Sequence, residues 1–160
     1  PGVQKHCFES QLALAAQSEK PVIIHCRDAW DDMRLAIDTA KKLFGAKLRG
    51  VIHCFTGSAS DAKFFVKRDF CVSFAGNVTF KNSEGLRKAL SATPQDKLLF
   101  ETDAPYLAPQ NMRGKRNEPS FVIDTIGQCA EVLDTSLDPL AAVAYQNASR
   151  LFGLSEEETG

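Results

Sequence analysis

Residues 50–57, Gly-Val-Ile-His-Cys-Phe-Thr-Gly, hold an apolar run with glycine at both ends and a histidine just past the β-branched pair Val51 and Ile52. So short a run cannot fill a helix, and its β-branched content marks residues 50–55 as a buried strand with His53 near its end. Upstream, 21-PVIIHCRDA-29 repeats the pattern, with a strand over residues 22–26 and His25 in the matching place. Downstream, residues 71–75 and 98–102 supply two more apolar strands, the last running into 101-ETDAPYL-107.

Helical spacing fills the intervals. Phe8, Leu12 and Ala15 line one face of a helix over residues 3–18, and Met33, Ile37, Ala40 and Phe44 line a second that Gly45 closes. Asp28 is the expected N-cap of that second helix. Ala62, Phe65 and Val66 turn inward from a third helix, and a fourth spans residues 83–90 with Ser83 as its expected cap. After a long polar loop, Pro119 opens a helix bearing Val122, Ile126, Ala130 and Leu133, and Asp138 with Pro139 opens the last. Near-continuously apolar strands alternating with helices predict a parallel sheet covered by helices, either doubly wound or a (β/α)8 barrel. Both architectures place ligands at the C-terminal ends of the strands.

The bulk numbers narrow the partners. With 160 residues, 44% hydrophobic and 24% charged, the chain has the length of one domain and an ordinary globular composition, and no second domain is expected over 1–160. A net charge of −1 supplies no general field for a polyanion, so nucleic acid would be gripped by a local patch or a metal. No membrane-length apolar run or signal peptide is visible, and a soluble cytoplasmic protein is expected. Five scattered cysteines without a C-x-x-C pair argue against a disulfide framework or zinc ribbon. The chain begins at Pro1 inside a predicted helix, so a longer parent protein is expected.

His25, His53 and Asp103 each stand at a strand end, and Gly76 takes the corresponding place after the third strand. A lone histidine there would read as a packed structural residue. Two histidines and an aspartate on one rim form instead a sufficient donor set for a catalytic divalent ion with an open water position. Cys26 and Cys54 follow the histidines directly, but alternate strand positions face opposite ways, which turns the thiols toward the covering helices. Glu101 shares the side of Asp103 and is expected behind the ligands or as a buried structural acid, and Arg27, beside His25, is a further supporting residue. His6 lies on the opening helix away from any strand end. Arg113, Lys115 and Arg116 crowd the loop after Asp103 and suit phosphate oxygens, with Asn117 beside them to contact substrate or order the loop. Trp30 and Tyr106 offer aromatic faces on which bases could stack.

In order, HCRDA, HCFTG, ETDAPYL, RGKRNEP and the closing NASRLFGL resemble the signatures of the TatD deoxyribonucleases, across nearly the whole chain. The resemblance implies a TIM-barrel-type (β/α)8 metal-dependent hydrolase cutting DNA phosphodiesters. It implies His25, His53 and Asp103 as metal ligands, Asp103 as the residue helping to activate water, and Arg116 with its neighbours on substrate. One or two divalent ions are expected, zinc or magnesium, with manganese admissible. The chain departs from the family in lacking the His-x-His pair of a first strand and the bridging glutamate of a fourth. A partial barrel is therefore expected, the last four strand-helix units, completed by the missing N-terminal half or by self-association. A metallohydrolase of a small ester or amide, or a catalytically impaired fragment, are the alternatives.

Overall fold

The computed structural model describes residues 2–154. Its strands are β1 (Val22–His25), β2 (Gly50–His53), β3 (Phe70–Phe74) and β4 (Leu98–Phe100). Its helices are α1 (Gly2–Gln17), α2 (Trp30–Phe44), α3 (Ala59–Val66), α4 (Glu84–Ser91), α5 (Val122–Val132) and α6 (Leu137–Phe152). All three strand pairings are parallel and the spatial order is β1-β2-β3-β4.

That order bears on the choice between the two predicted architectures. A doubly wound sheet reverses its strand order at a switch point and carries helices on both faces. Here each strand is laid beside the one before it, without reversal, which keeps the crossover helices on one face, as in a barrel wall. Burial agrees with this: Ile24, Ile52, Val72 and Leu98, one from each strand, share a core with Ala16, Ile37, Phe65, Leu90, Cys129 and Leu140, one from each helix.

The alternate strand positions make a second, smaller cluster of Val51, Cys71 and Leu99 on the opposite face. Leu151 and Ala148, near the end of α6, pack against it. The cluster covers this face only in part, and Ile23 on the outer strand of the same face stays 62% exposed. Asn147 holds α6 to the start of β4 by donating to the carbonyls of Gln95 and Leu98.

Local chemistry explains where the elements stop. Gly45 ends α2 at a φ of 54°, a backbone angle that side chains disfavour. Asp28 is no cap: α2 begins at Trp30, and Asp28 sits exposed at a φ of 58°, 3.7 Å from Arg27. The Ser83 hydroxyl likewise turns away from α4 and donates to the Asn77 carbonyl. The true capping box is Ser58 with Asp61 at the start of α3, and Arg34 from α2 pairs with the buried Asp61. Trp30 packs against Phe55 and Phe65 at centroid distances of 5.2 and 6.3 Å and is partly buried against the core. Among the described residues no helix is long and apolar enough to cross a membrane.

Ile52 is fully buried on an inner strand. Replacing it with alanine is expected to cost about 2–5 kcal/mol, checked by urea unfolding, because both flanking strands limit collapse of the cavity.

Candidate metal centre

The register places His25 directly beside His53, at the ends of β1 and β2. Glu101 extends β4 by one residue, its amide donating to the Phe74 carbonyl at 3.1 Å. Alternation then puts His53, two residues beyond Val51, and Glu101, two beyond Leu99, on the smaller-cluster face. β3 lies between them. Its residue on that face is the buried Ser73, whereas the bulky Phe74 belongs to the helix-side core. A small side chain at this point lets Glu101 reach across β3 to the end of β2.

Glu101 Oε1 lies 2.7 Å from His53 Nδ1, and Oε2 accepts the Cys54 amide at 3.2 Å. Asp103 Oδ1 stands 3.6 Å from His53 Nε2. Donor atoms of His53, Glu101 and Asp103 all fall within 4.8 Å of one another. The three side chains are partly accessible, between 20% and 32%.

One atom tests whether a metal ion suits this arrangement. Glu101 Oε1 is itself buried and has no aligned hydrogen bond, despite its closeness to the imidazole. A buried carboxylate oxygen left in that state is costly and calls for a partner. An imidazole and two carboxylates converging there are donors suited to a divalent cation. The donor set therefore fits such an ion.

The expected ligands are only partly brought together. Asp103 and His53 meet, and Glu101, expected behind them, stands in the same group. His25 remains outside it, exposed, with its ring 5.8 Å from that of His53. Arg27 touches none of the three; its side chain is 86% exposed and its ionic neighbour is Asp28. That corrects its supporting role, since an arginine in solvent orients nothing.

The loop after β4 is anchored at several points. Asp103 turns the chain at a φ of 56°, and the Tyr106 amide donates back to its carbonyl at 2.9 Å. A Cβ on Gly76 would lie 2.1 Å from the Leu107 carbonyl oxygen, so the loop rests on bare backbone there. Thr79 accepts the Gln110 amide at 2.8 Å, and the Arg113 guanidinium covers the Phe80 ring at 4.2 Å. Lys115 reaches Met112 Sδ at 3.9 Å. Arg116 is exposed, and Tyr106 is 70% exposed.

Asn117 is a correction. It is 2% exposed, and its Nδ2 donates to the Thr102 and Tyr106 carbonyls, which leaves no amide hydrogen for a substrate. Of its two expected roles, ordering the loop is the one its contacts serve. The burial of its polar side chain is a tertiary property and carries no local sequence signal.

The thiols take no part in the group. Burial, with the Glu101 and Asp103 carboxylates nearby, pushes the Cys54 thiol up to about 12, and burial alone does the same to Cys129. Cys26 and Cys71 are raised chiefly by burial as well. A thiol must lose its proton to ligate metal, and each of these environments resists that loss.

The family profile described as TatD related DNase matches residues 1–153. An uncharacterized metal-dependent hydrolase of Bacillus subtilis, YabD, is 43% identical over 96% of this chain and 59% of its own length. A protein of Citrobacter rodentium named 3'-5' ssDNA/RNA exonuclease TatD is 37% identical over 97% of this chain and 60% of its own. The solved structure of YjjV, a TatD homolog of Escherichia coli K12, superposes with a TM-score of 0.81 at 26% identity, covering 91% of this chain and 54% of that one. The chain thus spans somewhat over half the length of the proteins it matches.

Two measurements check the site's packing. At pH 8 a thiol reagent is expected to react promptly with exposed Cys7 alone, and with all five cysteines only after denaturation. Gly76→Ala is expected to displace the loop from β3 and weaken metal binding, read as a raised metal Kd in calorimetry, because backbone stands where the methyl would go.

Proposed function

Because the chain belongs to the TatD related DNase family, we propose that it carries the metal centre and phosphate-binding loop of a metal-dependent hydrolase cutting DNA phosphodiester bonds. The observation that carries this reading is the convergence of His53, Glu101 and Asp103 at the strand ends. Nucleic acid as substrate is supported by the exonuclease name of one relative and by the cation-rich loop after Asp103.

His53, Glu101 and Asp103 would hold a divalent ion, with His25 beside them as a further donor facing the same rim. Zinc, magnesium and manganese are the ions to compare, since one or two imidazoles with two carboxylates suit each in part. Such an ion supplies positive charge to the phosphate oxygens and lowers the pKa of a bound water. Glu101 is held by the Cys54 amide, which fixes the direction of its carboxylate. Asp103, a third exposed, is the group we assign to orient the attacking water and accept its proton.

The three loop cations divide their work. Arg113 lies over Phe80 and steadies the loop, whereas exposed Arg116 and Lys115 are left to meet phosphate oxygens. The four strand-helix units would be one half of an eight-unit barrel, given that YjjV is covered over 54% of its length. The activity is accordingly proposed for the barrel those units complete, with a longer parent chain or a second copy supplying the rest.

Asp103→Asn is expected to lower metal-dependent hydrolysis of single-stranded DNA at least a hundredfold in the complete barrel, with the thermal midpoint little changed. Unaltered turnover would overturn the assignment. Removing charge at Lys115 and Arg116 together should weaken substrate binding and shallow its dependence on log salt by about 0.7 per lost phosphate contact. An unchanged slope would put the phosphate elsewhere.

A further inference from the structure

β4 is pinned at both ends by asparagines of the same kind. Asn147 donates both Nδ2 hydrogens to the carbonyls of Gln95 and Leu98 where the strand begins. Asn117 donates both of its own to the carbonyls of Thr102 and Tyr106 where the chain leaves it. Each is 2% exposed.

Asn117 does more than its counterpart. Its backbone amide donates to the Pro105 carbonyl at 3.2 Å, and its Oδ1 accepts the Glu118 amide at 3.0 Å. One residue therefore collects three carbonyls, of Thr102, Pro105 and Tyr106, from the turn that displays Asp103. Thr102 is the residue immediately before Asp103, so its peptide plane sets the direction in which the aspartate's Cα–Cβ bond leaves the chain. Asp103 stands at a positive φ, a conformation aspartate tolerates but does not favour unaided. The turn has two bonds of its own, from the Tyr106 amide to the Asp103 carbonyl at 2.9 Å and from the Ala104 amide to Thr102 Oγ1 at 3.2 Å, and from outside it the Asn117 amide contacts both sides.

We infer that Asn117 is the positioning residue for Asp103: its buried amide fixes the Thr102–Tyr106 turn and thereby keeps the Asp103 carboxylate within reach of His53. The inference deepens the metal-centre reading above and names how that centre is held. It also ties the centre to the cation loop, since Arg116 is peptide-bonded to the residue that clamps the turn. A shift of the clamp would move the phosphate-binding charge and the metal-binding carboxylate together. Outer groups that orient ligands in this manner are worth about 10–100-fold in metal affinity.

The test compares Asn117→Leu with Asn147→Leu, two variants that each remove a buried double donor of similar volume at opposite ends of one strand. Both are expected to lose stability. Only Asn117→Leu should speed hydrogen exchange of the Tyr106 amide, by about tenfold or more, in metal-free protein. Only Asn117→Leu should raise the Kd for manganese by about 10–100-fold in calorimetry. Asn117→Ser, which leaves room for water at the two carbonyls, gives the same two readings in milder form if the leucine variant does not fold. Unchanged exchange at Tyr106 in both Asn117 variants would overturn the inference, as would an equal loss of manganese binding in Asn147→Leu. Asp103→Asn serves as the reference. If it binds manganese as tightly as the unmodified protein, the metal-centre reading fails, while the exchange measurement still decides whether Asn117 holds the turn.

Discussion

A single carboxylate reaching over a neighbouring strand organises the candidate centre. Glu101 starts from the end of β4 and meets the side chain of His53 and the backbone of Cys54, both belonging to the end of β2. The reach depends on β3 presenting Ser73 on that face and turning Phe74 to the helices. A large residue in place of Ser73 would separate the two strand ends. The contact also depends on the strand order, which sets the second and fourth strands on either side of the third.

Burial imposes the remaining conditions. A carboxylate taken largely out of water needs hydrogen bonds or opposite charge. Glu101 receives one backbone hydrogen bond at Oε2 and none that is aligned at Oε1, so the structure leaves one demand unmet where three donors converge. The nearby Cys54 thiol makes no hydrogen bond to that oxygen.

The long loop after β4 shows how a polar segment is made rigid without secondary structure. Its outward residues, Lys115 and Arg116, stay in solvent, while Asn117 turns inward and satisfies the turn at Asp103. Gly76 and Thr79 supply the surface on which the middle of the loop rests. Cations of similar appearance in the sequence thereby take different work: Arg113 is occupied by the Phe80 ring, and Arg116 is not.

By itself the sequence determined the alternation of strand and helix, the strand ends that bear His25, His53 and Asp103, and the family, because periodicity and short motifs are local properties of a chain. It also paired Glu101 with Asp103, but by an alternation that ends with β4; the turn at Asp103, not the strand, brings the two carboxylates together. Local pattern misjudged Asp28 as a cap, because capping depends on where the helix starts, and placed Ser83 rightly at the N-cap position without foreseeing that its hydroxyl bonds the Asn77 carbonyl; β4 was drawn two residues too long. Only the tertiary structure chose one-sided winding over a doubly wound sheet, brought Glu101 to His53 across Ser73, left His25 and Arg27 outside the group, and buried Asn117. Those outcomes rest on distances between residues far apart in the chain, which the order of strands and the packing of a loop decide and no local pattern encodes.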